Sequence, residues 1–285
     1  MKKRLNNNKK QINRLMVEEI GHYNDAKETT KTLFENYNYL SFREKSILEN
    51  KLSKPKNKSQ SRYFHTLNKT NHKIIIATGP AGTGKTLFGT EHGVINLLMG
   101  KYEKLIFTRP AVSVDEDLGF LPGTLEEKMA PWIRPIYDIL YKFLTPGEVS
   151  HLLENKQIEI APLAYMRGRT FKNTWIIADE MQNSTQNQMK MLLTRLGENS
   201  RMIITGDLQQ HDRIGEINGL QDFLEKFKGC RSSSISSIEF ETCDIEREEV
   251  VKEILDIYSG GVPQTYLEIN SNSGSSVSSN DTLYT

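Results

Sequence analysis

One stretch constrains this chain more than any other: a run of β-branched residues that passes directly into a glycine-rich loop. It reads Ile74-Ile75-Ile76-Ala77-Thr78-Gly79-Pro80-Ala81-Gly82-Thr83-Gly84-Lys85-Thr86. The loop has the pattern G-x-x-x-x-G-K-T, placed between a predicted buried strand and a predicted helix. Its glycines let successive backbone N–H groups face one anion, and the helix adds its positive end. The pattern predicts a phosphate-binding loop, with an ordinary glycine-rich turn as the alternative.

The spacing within this loop assigns a role to the lysine and the threonine that end it. Lys85 can reach the β- and γ-phosphates of a nucleoside triphosphate, and the Thr86 hydroxyl can bind Mg²⁺. ATP and Mg²⁺ are therefore the expected cofactors. The candidate nucleotide-binding residues of the loop are Gly79, Pro80, Ala81, Gly82, Thr83, Gly84, Lys85 and Thr86.

Short apolar runs alternate with helical patterns along the body of the chain. The predicted strands are 74–78, 104–108, 158–163, 175–178, 202–205 and 235–240, and the clearest helices are 87–99, 185–196 and 245–258. This alternation predicts an α/β fold, a P-loop NTPase (RecA-like) parallel sheet flanked by helices. In such sheets ligands bind at the carboxyl ends of the strands. Three predicted strands here are followed by polar signatures, which are the phosphate loop, Asp179-Glu180 and Gly206-Asp207-x-x-Gln210.

The strand ending at Ala178 is followed by Asp179 and Glu180, about ninety residues after the phosphate loop. In this position Asp179 would bind Mg²⁺, and Glu180 would polarise the water that attacks the γ-phosphate. Two adjacent carboxylates favour hydrolysis over phosphoryl transfer to a small acceptor, because a kinase does not require the second acid. The alternative is a surface strand end with no catalytic role.

Two further strand ends carry candidate site residues. Gln210 follows Gly206-Asp207 and is a candidate sensor of the γ-phosphate, with Asp207 as its support. Arg109 ends the second predicted strand, where it would meet a nucleic-acid phosphate or the site of a neighbouring subunit. A surface salt bridge is the alternative for Arg109.

A polar helix is predicted just before the first strand, and it contains Gln60 and Tyr63. The Gln60 amide can donate to and accept from an adenine edge, and the Tyr63 ring can stack on a base. The alternative for Gln60 is an ordinary surface position on this helix.

Charge is distributed unevenly along the 285 residues. Residues 1–70 contain 16 Lys and Arg against 7 Asp and Glu, whereas the remaining residues contain 21 against 29. A basic arm on an acidic body indicates contact with a polyanion such as a nucleic acid. A solvated and partly disordered extension explains the same composition equally well.

The chain has two cysteines, Cys230 and Cys243, which form neither a disulfide framework nor a metal-binding spacing. This usage favours a reducing compartment, so we expect a cytoplasmic protein. No apolar run approaches the length of a membrane span, and the polar start predicts no signal peptide.

Eight ordered blocks of the sequence resemble the PhoH family, the phosphate-starvation-type P-loop ATPases related to superfamily-one helicase cores. The blocks include the phosphate loop, Thr108-Arg109-Pro110-Ala111-Val112, Asp179-Glu180-Met181-Gln182-Asn183 and Thr205-Gly206-Asp207. Asn57-x-x-Gln60-x-x-Tyr63 is similar to the adenine-reading stretch of that superfamily. The chain departs from the family pattern at Met181, in 208–212 and after Arg247, where the usual His-Pro is absent.

The resemblance implies ATP hydrolysis, a homo-oligomeric ring such as a hexamer, and an RNA or single-stranded DNA partner. It predicts a basic extension at 1–56, a PhoH-like ATPase domain at 57–262 and a disordered Ser/Asn-rich tail at 263–285. The Lys/Asn-rich composition and single core would suit a phage protein. A nucleotide-switched oligomeric binding module that hydrolyses ATP slowly remains the competing function.

Arg247 is the last candidate catalytic residue. The predicted nucleotide motifs contain Lys85 but no guanidinium placed to meet charge that develops at the γ-phosphate. Such an arginine is usually supplied from elsewhere in the chain or from a neighbouring subunit. Arg247 follows the last predicted strand, and a surface ion pair with the surrounding glutamates is its alternative.

Overall fold

The computed structural model describes residues 42–110, 125–211 and 217–248, together with residues 250, 251, 254 and 257. The chain divides into two compact units, Met1–Asp244 and Ile245–Thr285. The first unit holds every strand described below. Predictions that concern residues up to 41 and the tail from 263 onwards lie outside the described residues.

The first unit is built on a six-stranded parallel sheet with the order β3-β2-β4-β5-β1-β6. The predicted α/β fold with a parallel sheet is confirmed, and each predicted strand forms within a residue or two of its expected bounds. The strands are β1 (Ile74–Thr78), β2 (Lys104–Arg109), β3 (Ile158–Pro162), β4 (Thr174–Ala178), β5 (Arg201–Gly206) and β6 (Ile235–Glu239).

Seven α-helices accompany the sheet in the described part of the chain. They are α1 (Phe42–Asn50), α2 (Lys58–Asn68), α3 (Lys85–Leu98), α4 (Leu125–Tyr141), α5 (Pro146–Glu154), α6 (Gln186–Leu193) and α7 (Gly219–Phe227). Single 3₁₀ turns lie at Leu163–Met166, Met181–Asn183 and Thr242–Asp244. Within the described residues, no helix combines the length and the apolar character that crossing a membrane would require.

Alternating side chains of the strands supply two separate apolar cores, one on each face of the sheet. On one face Ile75, Ile177 and Ile203 pack with apolar residues of α2, α3, α4 and α5. On the other face Ile76 and Ile204 pack with residues of α6, α7 and the 3₁₀ turn after β3. Burial on both faces explains why the central strands are continuous apolar runs.

Two predicted helices differ from the structure at their ends. α6 ends at Leu193, and the backbone N–H of Thr194 donates to the Lys190 carbonyl oxygen at its C-terminus. Beyond this point Leu196 forms a β-bridge with Phe171 and does not continue the helix. The predicted helix 245–258 does not begin at Ile245, since residues 245–248 are not helical and helical residues appear from Val250.

The sheet order decides where the site forms. β4, β5 and β1 are consecutive neighbours, although they are separated along the chain by other elements. The phosphate loop follows β1, the acidic pair follows β4, and Asp207 follows β5. The three polar signatures therefore meet at one edge of the sheet.

Candidate active site

The phosphate loop connects β1 to α3, and its glycines adopt conformations that other residues rarely tolerate. Gly79 has φ 131° and lies against β6, where an added Cβ would be 2.2 Å from the carbonyl oxygen of Phe240. Gly84 has φ 87° and caps the start of α3. The helix thus begins at Lys85 with its free N–H groups at the mouth of the loop, the arrangement that binds phosphate.

Lys85 lies inside the loop. Its Nζ donates to the carbonyl oxygens of Gly79, at 2.6 Å, and Pro80, at 2.7 Å. Burial lowers the pKa of the Lys85 ammonium, and three nearby carboxylates oppose that shift. These carboxylates belong to Asp207, Glu180 and Asp179. The loop therefore holds a preformed cation where an anion would enter.

Thr86 and Asp179 meet across the site. The Thr86 hydroxyl donates to Asp179 Oδ1 at 2.8 Å, and the Thr205 hydroxyl donates to the same oxygen. The backbone N–H of Asp179 donates to Thr108 on β2 at 2.9 Å, which anchors the end of β4. The carboxylate is thereby held in one orientation beside the phosphate loop.

The pair Thr86 and Asp179 suits Mg²⁺ by the chemistry of its donors. Both supply hard oxygen atoms, the ligand type that Mg²⁺ prefers. The described residues contain no group of three or more His, Cys, Asp or Glu side chains that would form an all-protein metal cage. Mg²⁺ commonly uses one or two protein oxygens and completes its shell with phosphates and water, so the donor set fits.

Glu180 lies at a sharp bend after β4. Its backbone has φ 53° and ψ 39°, a left-handed conformation that costs free energy for a residue with a side chain. One carboxylate oxygen, Oε2, accepts a hydrogen bond from the Gln182 amide at 2.5 Å. The bend turns the chain into the 3₁₀ turn Met181–Asn183 and leaves Glu180 facing the cleft.

Residues that follow β1, β4 and β5 line a single cleft. Gln210 is exposed at its rim, in a turn closed by the Gln210 N–H and the Asp207 carbonyl at 3.1 Å. The role of Gln210 as a γ-phosphate sensor stays a prediction. The cleft is lined by Ala81, Gly82, Gly84, Lys85, Thr86, Leu87, Asp179, Glu180, Gly206, Asp207 and Gln210.

Tyr63, for which a stacking role was predicted, is buried in this structure, and that role stays a prediction. Its side chain is 0% exposed, with its ring edge-to-face against Phe88 and Phe240 and its hydroxyl donating to the Lys85 carbonyl at 3.2 Å. The helical period turns this face of α2 towards the core, so the Tyr63 ring packs among apolar side chains.

Gln60 is also buried, at 3% exposure, which excludes its alternative as an ordinary surface residue. Its Nε2 donates to the Thr83 carbonyl at 3.2 Å, and its Oε1 accepts from the Lys56 N–H at 2.8 Å. The amide that was predicted to read adenine thus already binds the phosphate loop and the segment before α2.

The two predicted arginines belong to different units of the chain. Arg109 ends β2 opposite Pro162, at the same edge of the sheet as the cleft but separated from β1 by β4 and β5. Arg109 is not among the residues that line the cleft. Arg247 belongs to the second unit, where it is exposed in a bend. The functions of both arginines remain predictions.

Sequence reasoning assigned no role to Thr205 and Gln182, although both lie in blocks that resemble the PhoH family. Thr205 is buried at the end of β5 and bonds Asp179, while Gln182 bonds Glu180. The available signal was local, because Gln182 lies only two residues after Glu180. The sequence did not predict the 3₁₀ turn Met181–Asn183, which brings the Gln182 amide back to the Glu180 carboxylate.

Comparison with known proteins agrees with this geometry. The family model described as "PhoH-like protein" matches residues 53–259. The chain belongs to the PhoH family. Its similar relatives include a PhoH-like protein of Bacillus subtilis, 48% identical over 186 residues, which are 65% of this chain and 58% of the relative.

Two other relatives show the same extent of similarity. A PhoH-like protein of Synechocystis is 43% identical over 203 residues, which are 70% of this chain and 60% of the relative. Protein PhoH of Escherichia coli K12 is 42% identical over 207 residues, 72% of this chain and 57% of the relative. This PhoH family chain therefore spans about 60% of the length of these relatives.

Proposed function

We propose that this protein is a Mg²⁺-dependent ATPase that acts on RNA or single-stranded DNA as a homo-oligomeric ring. The observation that carries the proposal is the convergence of three strand ends on one cleft. That cleft combines a buried ammonium, an oriented carboxylate beside a hydroxyl, and a second carboxylate at its wall. This is the set of groups that hydrolysis of a nucleoside triphosphate requires.

In this proposal the loop N–H groups and Lys85 bind the β- and γ-phosphates. The ammonium leaves its carbonyl partners on Gly79 and Pro80 and pairs with phosphate oxygens, a charge-assisted contact that is stronger than the one it replaces. Thr86 and Asp179 would hold Mg²⁺, which supplies neutralisation of charge on the phosphate oxygens.

Glu180 is the proposed general base. It polarises the attacking water and takes up its proton while the water oxygen bonds to the γ-phosphorus. The bond from that phosphorus to the β–γ bridging oxygen breaks in the same step, so that ADP and inorganic phosphate are released. Two adjacent carboxylates, Asp179 and Glu180, favour hydrolysis over transfer to a small molecule, because transfer does not require the second acid. Gln210, at the rim, is the proposed sensor of whether the γ-phosphate is present.

Two features support a polyanionic partner and a ring. Residues 1–70 have a net charge of +9 by sequence, which suits a nucleic-acid backbone. The described residues form one P-loop core, and in this proposal the protein grips a strand between such cores of neighbouring subunits. The alternative function is a nucleotide-switched oligomeric binding module, which would bind the same partner with slow hydrolysis.

An ATPase assay with and without RNA or single-stranded DNA separates the two functions. We expect Mg²⁺-dependent hydrolysis that nucleic acid stimulates, and a solution mass that is a multiple of the 32.7 kDa chain. Lys85→Ala should abolish turnover, and Lys104→Ala, at the exposed start of β2, is the matched control. Slow turnover that nucleic acid leaves unchanged would favour the binding module, and no turnover at all would overturn the ATPase.

A further inference from the structure

One buried amide joins the proposed general base to the end of β5. Gln182 is 1% exposed in the 3₁₀ turn that follows β4. Its Nε2 donates to Glu180 Oε2 at 2.5 Å, and its Oε1 accepts from the Asp207 N–H at 3.1 Å. Both ends of the amide are therefore used, and each bond leads to a residue that lines the cleft.

The fold brings β5 unusually close to this amide. A Cβ added to Gly206 would lie 2.8 Å from Gln182 Oε1 and 3.2 Å from the Gln182 backbone nitrogen. Only a residue without a side chain leaves room for the contact at this position. The Gln182 amide therefore packs directly against the backbone at the end of β5.

The same residue contacts the turn that carries Gln210. The carbonyl oxygen of Gln182 lies 2.9 Å from His211 Nδ1, at the far end of this turn. Inside the turn, the Asp207 carboxylate accepts from the Gln209 N–H at 3.1 Å. Gln182 thus links the carboxylate of Glu180 to the backbone that supports the proposed sensor.

We propose that Gln182 is a positioning residue that orients Glu180 for attack on the γ-phosphate and couples it to the turn 207–211. This inference rests on the proposed ATPase function. A glutamate side chain has several rotamers of similar energy, and a charge-assisted bond from a fixed donor selects one of them. A base that is misplaced by about 1 Å can lose about 100-fold in rate, so the orientation matters.

Two variants separate the two bonds of the amide. Gln182→Met keeps the length of the side chain and removes both bonds. Gln182→Glu keeps an acceptor for the Asp207 N–H but replaces the donor to Glu180 with a second carboxylate. We expect both variants to lower kcat by about 10- to 100-fold with the KM for ATP unchanged. Hydrogen exchange at the Asp207 amide should accelerate in Gln182→Met and stay slow in Gln182→Glu.

The matched control is Gln186→Met on α6. Gln186 also donates its amide to a carboxylate, Asp222 at 2.6 Å, but outside the cleft. This variant should keep the wild-type kcat. If Gln182→Met does not fold, Gln182→Glu still provides the test, because it retains the bond to Asp207.

A double-mutant cycle with Glu180→Gln decides whether Gln182 acts through Glu180. We expect Gln182→Met to leave the residual single-turnover rate of Glu180→Gln nearly unchanged, since the group that it positions is already lost. The same 10- to 100-fold loss in both backgrounds, or wild-type kcat in Gln182→Met, would overturn the inference while the ATPase function stands. A wild-type protein without ATPase activity would overturn both.

Discussion

Acidification is expected to destabilise the first unit, Met1–Asp244, through His92, a buried residue of the helix that follows the phosphate loop. Its side chain is 2% exposed, and Nδ1 lies 2.7 Å from the Phe88 carbonyl oxygen. A carbonyl accepts hydrogen bonds, so Nδ1 carries the hydrogen and Nε2 is left to take up a proton. Nε2 has no hydrogen-bond partner among the described residues, so a proton there would create a buried charge without a partner.

The size of the effect follows from the shift in pKa. Burial lowers the pKa of His92 from 6.5 to about 4. The unfolded chain therefore binds the proton first, and stability that is complete above pH 6.5 is lost as the pH falls towards the lowered pKa. The expected loss in the free energy of unfolding is about 2 kcal/mol between about pH 7.5 and pH 5.

Urea unfolding at several pH values tests this expectation. His92→Phe should be less stable at neutral pH, because it loses the bond to Phe88, but its stability should fall by about 2 kcal/mol less on acidification. His65→Gln, which removes an exposed histidine of α2, should keep the wild-type pH dependence. Equal pH dependence in His92→Phe and wild type would refute the assignment of the proton to His92.

Four further substitutions test the site. Lys85→Ala should abolish productive ATP binding, because the phosphates lose their main side-chain partner; an unchanged Kd in a folded variant would make the loop structural. Glu180→Gln should bind Mg-ATP and slow single-turnover hydrolysis by about 10²- to 10⁴-fold, and wild-type speed would exclude Glu180 as the base. Arg247→Ala should bind ATP and hydrolyse it poorly. Mixing it with Glu180→Gln should partly restore turnover if Arg247 acts across a subunit interface, whereas no recovery in assemblies shown to contain both variants argues against that. Gly206→Ala should cost about 1–3 kcal/mol in urea unfolding, because its Cβ would lie 2.6 Å from Leu220 Cδ2 and 2.8 Å from Gln182 Oε1, both in the buried interior. Full stability would contradict this close packing.

The sequence predicts most of the fold because the strands are continuous apolar runs bounded by polar signatures. Burial on both faces of a parallel sheet produces such runs, so their positions are encoded locally. The phosphate loop is equally local, since its glycines, lysine and threonine lie within eight residues. The residues of this loop and at the end of β4 that line the cleft could therefore be named from the sequence.

Helix ends were less predictable, because they depend on contacts outside the helix. The predicted helix 185–196 continues past Leu193 on hydrophobic pattern alone. In the structure Leu196 instead pairs with Phe171, a contact between residues far apart in the sequence. Only the tertiary structure decides which of these competing interactions prevails.

The function of an individual side chain depends most strongly on tertiary structure. Tyr63 and Gln60 have the right chemistry to read a base, and their spacing matched that role. Packing of α2 against the sheet buries both of them, and burial reassigns their polar groups to the Lys85 and Thr83 carbonyls.

What the sequence by itself determined was the set of chemical groups and the strands that carry them. What only the tertiary structure decided was their arrangement, because the sheet order β3-β2-β4-β5-β1-β6 depends on pairing between distant segments. That order places Asp207 beside Glu180, and the Gln182 amide between them. A hydrogen bond requires that the donor–acceptor distance be correct to within a few tenths of an ångström. No pattern of residue types along a chain specifies a distance to that precision.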